Sequence, residues 1–288
     1  MREAIRVSGQ SDARMRIQAL LYRHRLTSRF HSSTIRACNP SDEKSVVVSW
    51  LLGGNVDRDE ARAFAEKLAG ATRRVCRDYR DGDVVHEEPF SDQLCGRLKE
   101  TLEGFRTGEI VWQADIARNR GRFSARSLTK TKEEPAFGAD LVMAIDIDTS
   151  TESVRKGYLA QAKRLEPGKR LDAAEYRRLL AQCERMVEFT PASLVFLYHQ
   201  TDVQVISANA VLSRRDTDLW SIETWPIEVL YEDFAICWFG DHRIQATDPA
   251  SLEGLRAMID AEAAIRIAGR GSPEPDWIDF ELDGYGEE

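Results

Sequence analysis

The chain has 288 residues, of which 42% are hydrophobic and 31% charged, so it is long enough and apolar enough to build a substantial core. The formal net charge of −8 is unusual for a nucleic-acid enzyme, but local clusters of charge matter more than the sum. No apolar run approaches the ~20 residues of a membrane helix, and the N-terminus lacks the apolar stretch of a secretory signal. The five scattered cysteines include no Cys-x-x-Cys pair. We therefore expect a cytoplasmic protein with no membrane partner, no structural zinc and no disulfide framework.

Residues 1–90 are predicted to form an N-terminal arm and an accessory helical region. The first forty residues are rich in arginine and weakly patterned, and the apolar run 45–52 fits either a strand or a buried helix. Apolar residues at helical spacing predict a helix from Asp59 to Tyr79. A second predicted helix, from Ser91 to Phe105, opens the central region of the chain, residues 91–212.

The most informative part of the central region is a predicted β-hairpin. A first strand is predicted over residues 122–129, and the hairpin itself over residues 139–147 and 156–164. Because side chains alternate along a strand, Gln161 and Lys163 face the same way, and strand pairing would bring Asp140 beside them. A carboxylate, an amide oxygen and an ammonium at one sheet edge indicate a divalent-metal site with a charged helper.

A helix and two strands are predicted after the hairpin. Asp172 is expected to cap the helix, with Glu175 three residues later completing a capping box, and Thr190-Pro191 is expected to end it. Residues 193–198 and 203–207 are short apolar runs rich in strand-forming residues. The resulting order is hairpin, helix, strand.

This pattern resembles the catalytic core of the PD-(D/E)xK nuclease superfamily, and in particular the Mrr-type restriction endonucleases, in which the second acid is often Gln. The resemblance covers residues 91–211, and its specific part is residues 138–164. Asp140 matches the invariant acid, Gln161 the variable position and Lys163 the lysine. The resemblance implies an α/β fold of mixed α+β type. Its restriction-endonuclease-like core would be a central mixed sheet flanked by helices, with α-helical additions at both termini.

The resemblance also implies a bound Mg²⁺ or Mn²⁺. Asp140 and Gln161 would hold the metal together with a first acid, which in the superfamily is usually a Glu on the preceding helix. Two residues are open for that role, Glu103 and Glu134. On the predicted helix, Glu103 lies nearer the border of the apolar face than Glu100 does, which makes it the better helical candidate.

Two basic clusters flank the hairpin and are candidates for contact with phosphate groups. Phosphate binding requires local positive charge and does not require a positive protein. The plainer alternative is that both clusters are solvated surface. The first cluster consists of Arg118, Arg120, Arg122, Arg126, Lys130 and Lys132, and the second consists of Arg164, Lys169 and Arg170, directly after Lys163.

Residues 213–273 are predicted to be an α-helical appendage, with one helix within residues 226–239 and another opened by Asp248-Pro249. Residues 274–288 form an acidic tail, either a mimic of DNA or a solubilising segment. Asp146 and Asp148 fit a solvated hairpin end better than a paired-carboxylate site.

These features lead to one functional expectation and one alternative. We expect a Mg²⁺-dependent endonuclease that hydrolyses phosphodiester bonds of double-stranded DNA, with Lys163 acting on the attacking water. A regulatory protein partner or a homo-oligomeric assembly would restrain it, and a bacterial antiphage defence or restriction system is the expected setting. The alternative is a catalytically silent subunit of the same fold that binds DNA or a protein partner.

Overall fold

The computed structural model describes residues 57–80, 88–118, 138–149 and 153–271. The described part of the chain contains eight strands and six α-helices. The strands are β1 (Arg106–Thr107), β2 (Ile110–Arg118), β3 (Leu141–Asp148), β4 (Ser153–Arg164), β5 (Ser193–Tyr198), β6 (Val203–Ser207), β7 (Trp225–Pro226) and β8 (Ala263–Gly271). The helices are α1 (Arg58–Arg80), α2 (Glu88–Leu102), α3 (Ala173–Phe189), α4 (Ala208–Arg214), α5 (Ile227–Ala235) and α6 (Pro249–Ile259), and a 3₁₀ turn covers Leu219–Ser221.

All eight strands join one mixed sheet in the order β1-β2-β8-β3-β4-β5-β6-β7. Two neighbouring pairs, β3 with β8 and β4 with β5, are parallel, and the others are antiparallel. The predicted mixed sheet flanked by helices is therefore confirmed.

The central hairpin is formed by β3 and β4, as the sequence predicted. Leu141 is in register with Ala160, and the pairing continues to Asp148 opposite Ser153. Seven of the eight residues of β3 are buried, because helices cover both faces of the sheet. The register brings the start of β3 beside the last third of β4.

The two faces of the sheet carry different helices. The first face packs against α1, α2 and α5, and its strand residues include Met143, Tyr158 and Phe196. The second face packs against α3, α4 and α6, and its strand residues include Val142 and Leu159. Odd-numbered residues of β4 from 157 onward therefore point to the second face.

Helix α3 begins and ends where the sequence predicted. The Asp172 side chain accepts hydrogen bonds from the N–H groups of Ala174 and Glu175, both 2.8 Å. The helix ends at Phe189, and the Thr190 N–H donates to the carbonyl of Met186. The predicted helix at residues 59–79 and the predicted strands at 193–198 and 203–207 are also confirmed.

The prediction of an all-helical appendage at residues 213–273 was wrong. Residues 263–271 form β8, which lies in the middle of the sheet between β2 and β3. The helices α5 and α6 are present, and the predicted start of α6 is confirmed by a capping box between Asp248 and Ser251. The C-terminal region is therefore part of the core.

The strand predicted over residues 122–129 lies outside the described residues, as do the N-terminal arm, the run 45–52 and the acidic tail. The strand that precedes the hairpin within the described residues is β2, which the sequence reasoning did not identify. In the described ranges, no helix combines the length and the apolar character needed to cross a membrane.

Candidate functional site

Asp140 is held at the entrance of β3 by backbone hydrogen bonds on both sides. Its N–H donates to the carbonyl of Ala160 on β4 at 3.0 Å, and its carbonyl accepts from the N–H groups of Glu262 and Ala263 at 3.1 Å. The neighbouring strands therefore fix the Asp140 backbone between β4 and β8. Asp140 does not depend on a loop for its position.

The Asp140 carboxylate contacts two groups of β4. Oδ2 accepts a hydrogen bond from the Gln161 side-chain Nε2 and a second one, of 2.9 Å, from the backbone N–H of Ala162. The side chain is half-buried, on the second face of the sheet. The predicted meeting of Asp140 and Gln161 is therefore observed.

The Gln161 amide is buried, and only one of its two ends is satisfied. The side chain is 2% exposed, and its Nε2 also approaches the carbonyl of Ala162 at 3.3 Å. Its Oε1 is buried and has no hydrogen-bond partner among the described residues. A half-turn about the last side-chain torsion would exchange the two ends and bring Oε1 to Asp140. Two oxygens would then face each other, an arrangement that a cation between them stabilises.

Lys163 lies two residues after Gln161 on the same face and is half-buried. Burial raises the pKa of the Cys183 thiol on α3 to about 12, and the Lys163 ammonium acts in the opposite direction. Because side chains alternate along β4, Lys163 extends from the same face as Leu159 and Gln161, which is the face that α3 covers. The structure therefore brings the three predicted residues to one face.

These residues can supply part of a divalent-metal shell. Within the described ranges, no three His, Cys, Asp or Glu side chains are grouped so that they could hold a metal ion. Mg²⁺ nevertheless often binds through one or two carboxylates and keeps several waters. One carboxylate and one unsatisfied amide oxygen fit a hydrated Mg²⁺ or Mn²⁺ of this kind.

Glu103 is not placed to share a metal ion with Asp140. It lies in the exposed turn after α2, two residues before Phe105, whose carbonyl accepts from the Trp112 N–H at 3.0 Å. Arg118 follows Trp112 by six residues on β2, so the two residues lie about 20 Å apart along the strand. Arg118 pairs with Ala263, which is itself in register with Leu141. Asp140 therefore lies at the Arg118 end of β2, and Glu103 lies near the Trp112 end.

The preceding helix also lies on the other side of the sheet. The apolar residues of α2 pack on the first face, whereas Gln161 and Lys163 point to the second. The acid of α2 that does lie at the Asp140 end of the sheet is Asp92, which the sequence reasoning did not consider. Asp92 is paired with Arg118, with 2.6 Å between Oδ1 and Nε. The other candidate, Glu134, lies outside the described residues.

The two basic clusters differ in what the structure describes. In the first cluster only Arg118 is described, and Asp92 holds its guanidinium. Its remaining members, Arg120, Arg122, Arg126, Lys130 and Lys132, lie outside the described residues.

The second cluster is exposed at the end of β4 and in the following loop. Arg164, Lys169 and Arg170 are all exposed, and Arg170 approaches Asp218 at 3.5 Å. Residues 163–170 contain four basic residues and one acid, Glu166. The loop is fixed at its far end, because the Leu171 N–H donates to the carbonyl of Thr217. It presents positive charge next to Lys163.

The interpretation of Asp146 as a solvated residue was wrong. Its side chain is fully buried on the second face, where three arginines bind it. Arg266 also binds Asp115 at 2.6 Å, which makes the group a network. Burial alone would raise the pKa of Asp146, but hydrogen bonds from Arg270 and Arg266 outweigh it and hold the pKa below its ordinary value. Asp148, in contrast, is exposed as predicted.

Comparison of the chain with protein-family models, with curated proteins and with solved structures gave no match.

Proposed function

We propose that this chain is a metal-dependent endonuclease that hydrolyses phosphodiester bonds of double-stranded DNA. The observation that carries the proposal is the direct contact of Asp140 with Gln161, with Lys163 following on the same face. The resemblance of this Asp … Gln-x-Lys pattern to PD-(D/E)xK nucleases, and the mixed sheet on which it lies, support the assignment.

Asp140 and Gln161 are the residues that would hold Mg²⁺ or Mn²⁺. When bound, the cation would stabilise negative charge on the phosphate and on the attacking oxygen. Asp140 contributes the charged oxygen that a hard cation prefers, and Gln161 contributes a neutral one. The backbone hydrogen bonds of Asp140 to β4 and β8 keep these oxygens in place without a substrate.

Lys163 would act on the water and on the phosphate. Its ammonium lies on the face that carries the two oxygens, so it can donate to a water bound there and orient it for attack. It can also balance the negative charge of the scissile phosphate, because the Asp140 carboxylate adds a further negative charge to the site. Arg164, Lys169 and Arg170 would bind the phosphates that flank the cleaved bond.

The test of this proposal is cleavage of plasmid and linear DNA by the wild type and by Lys163→Ala, with Mg²⁺, Mn²⁺ or EDTA. We expect metal-dependent cleavage by the wild type and a loss of at least about 100-fold in the variant, since a positioned proton-transfer group contributes that much or more. DNA binding by the variant should be largely retained, because the exposed loop is intact.

Lys99→Ala is the matched control, because Lys99 is an exposed lysine of α2, which packs on the other face of the sheet. It should cleave as the wild type does. Cleavage by Lys163→Ala at the wild-type rate would reject the proposed role of this residue.

The exposed loop gives a second prediction, on DNA affinity. Replacing Arg164, Lys169 and Arg170 with alanine should lower the slope of log K against log salt concentration by about 2 to 3, since each phosphate contact contributes ~0.9. The control is the triple alanine variant of Arg62, Lys67 and Arg77, three exposed residues of α1. It removes the same amount of positive charge from the protein. An equal change of slope in both variants would show that overall charge, and not the loop, governs binding.

A second candidate function is a catalytically silent subunit that binds DNA or a protein partner. The observation that favours it is the small number of acids at the site. Among the described residues Asp140 belongs to no group of three or more His, Cys, Asp or Glu side chains that could hold a metal, and Glu103 follows α2 at the opposite end of β2. Salt-dependent DNA binding by a wild type that cleaves under no metal condition would favour this candidate.

A nuclease without a described sequence-reading module requires restraint in a living cell. We therefore propose control by a regulatory partner or by assembly of several copies, in a bacterial antiphage defence or restriction setting. Size-exclusion chromatography with light scattering, with and without DNA, measures the assembly part of this proposal. A monomer under both conditions would reject it.

A further inference from the structure

The strand that carries Asp140 is packed against one particular residue of α3. Gly138, two residues before Asp140, has φ +72°, and a Cβ built on it would lie 2.7 Å from the Gln182 Cα and 2.9 Å from the Gln182 carbonyl oxygen. Only a glycine allows this approach, because a side chain at position 138 would collide with the helix backbone. The residues that enter β3 are thus fixed against Gln182.

Gln182 is buried on the helix face that covers the site. Gln182 is 5% exposed, and the next residue, Cys183, belongs to the apolar cluster on the second face of the sheet. Gln182 therefore lies beside the residues that lead into Asp140, on the face that carries Gln161 and Lys163.

The Gln182 amide oxygen is buried and has no hydrogen-bond partner in the described part of the chain. It shares this property with the amide oxygen of Gln161, on the facing strand. A buried acceptor without a donor costs stability, because water satisfied it in the unfolded chain. An apolar residue would avoid this cost, as Leu179, Cys183 and Met186 do on the same helix.

Two such acceptors on one face of the sheet share a simple explanation, which is a hydrated cation. Gln161 can bind the ion through its oxygen, and Gln182 can accept a hydrogen bond from a water bound to the ion, since each such water presents two O–H groups to its surroundings. A site with one carboxylate depends on acceptors of this kind, because most positions around the cation are then occupied by water. Outer acceptors orient these waters and raise the affinity for the metal.

We infer that Gln182 is a positioning residue of the proposed cation site, and that its amide oxygen accepts a hydrogen bond from a water bound to the cation. This inference rests on the proposed function, since it concerns the same cation. Gln182 does not bind the metal itself. It acts through a water bound to the cation that Asp140 and Gln161 would hold.

The experiment measures Mn²⁺ affinity of the full chain by electron paramagnetic resonance of the free ion, without DNA and independently of cleavage. The variants are Gln182→Leu, which keeps the size and removes the acceptor, and Gln182→Glu, which keeps an acceptor. Gln93→Leu on α2 is the matched control, because α2 packs on the other face of the sheet. Thermal unfolding of the metal-free proteins is recorded in parallel.

We expect Gln182→Leu to weaken Mn²⁺ binding about tenfold, at the lower end of the range for residues that orient metal-bound groups. Its unfolding temperature without metal should be unchanged or higher, because an unsatisfied buried acceptor is removed. Gln182→Glu and Gln93→Leu should bind Mn²⁺ at least as tightly as the wild type.

Two other results would overturn the inference in distinguishable ways. In the first result, the wild type binds Mn²⁺, Asp140→Asn no longer binds it, and Gln182→Leu binds it as tightly as the wild type does. This result would refute the role of Gln182 and leave the proposed metal site intact. If the wild type binds no Mn²⁺, the proposed function and the inference both fail. A weaker affinity in both Gln182 variants, with a lower unfolding temperature, would mean that Gln182 has only a structural role.

Discussion

The two ends of β3 carry two aspartates on the same face of the sheet, and their surroundings are opposite. Asp146 is fully buried and is bound by Arg155, Arg266 and Arg270. Asp140 is half-buried, and the described partners of its carboxylate are an amide group and a backbone N–H. Three arginines therefore compensate the charge of Asp146, whereas Asp140 contacts an amide group whose own oxygen is buried and has no donor among the described residues.

This difference shows how a structural carboxylate is distinguished from a functional one. A buried carboxylate that several arginines bind is fully used, and its removal leaves positive charge uncompensated. A half-buried carboxylate in contact with an amide whose buried oxygen has no donor is a candidate for binding a further group. The five residues between Asp140 and Asp146 are too few for the sequence pattern to distinguish the two carboxylates, so the environment of each decides its role.

The largest expected effect on stability concerns Asp146. Asp146→Ala should lower the free energy of unfolding by about 3 to 5 kcal/mol, because it removes the buried carboxylate that compensates the buried Arg266 and the partly exposed Arg155 and Arg270. Asp140→Ala should cost less, about 1 to 3 kcal/mol, because it removes the two hydrogen bonds of the carboxylate, but it should abolish cleavage. Urea denaturation and plasmid cleavage measure the two quantities.

Asp148→Ala is the control for both variants, since Asp148 lies on the same strand and is exposed. Its effect on stability should remain within about 0.5 kcal/mol. Equal destabilisation by Asp140→Ala and Asp146→Ala would contradict the distinction between the two ends.

A smaller effect is expected at Gly157, between the two ends of the hairpin. A Cβ at this position would lie 2.6 Å from the Met143 carbonyl oxygen and 2.8 Å from that of Ile244, and neither backbone can easily move. Gly157→Ala should therefore cost about 1 to 3 kcal/mol. Gly70→Ala, in α1 with open space around it, should instead stabilise the protein by up to about 1 kcal/mol. Thermal unfolding of both variants tests this contrast.

The smallest expected effect is a loss of folding stability in acid, which arises from the carboxylates of Asp146 and Asp241. Burial would raise the pKa of Asp241, but hydrogen bonds from Arg243 and Thr190 outweigh it and hold this pKa at about 2. The pKa of Asp146 is also lowered. Because both lie below the unfolded value near 4, their contribution is complete above pH 4 and is lost as the pH falls toward 2.

Urea midpoints between pH 5 and pH 2.5 measure this loss. Asp241→Asn should make the dependence on pH shallower over that window. Asp148→Asn, at an exposed carboxylate, should leave the slope unchanged. A slope identical in the wild type and in Asp241→Asn would reject the role of the Asp241 hydrogen bonds.

The local features of the site followed from the sequence. The shared face of Gln161 and Lys163 could be predicted because side chains alternate along a strand with a period of two. The cap at Asp172 and the end of α3 are likewise set by neighbouring residues. These features depend on residues that are close together in the chain.

The features that were missed depend on contacts between distant residues. Residues 263–271 follow a helix and begin with two alanines, so their pattern does not separate a strand from a continued helix. Their partners in β2 and β3 are more than a hundred residues earlier. Two of the three arginines that bind Asp146, Arg266 and Arg270, lie on β8, and Asp146 was interpreted as solvated because this strand was not predicted.

The central position of β8 has a consequence for synthesis on the ribosome. While the chain emerges, β2 and β3 lack the strand that separates them, because β8 is translated after all other described elements. Asp140 then lacks the two N–H groups of Glu262 and Ala263 that hold its carbonyl. A nascent chain shorter than about 260 residues therefore cannot assemble the site, and its open strand edges are a target for chaperones and proteases. The chain thus acquires its candidate site only after β8 has been synthesised.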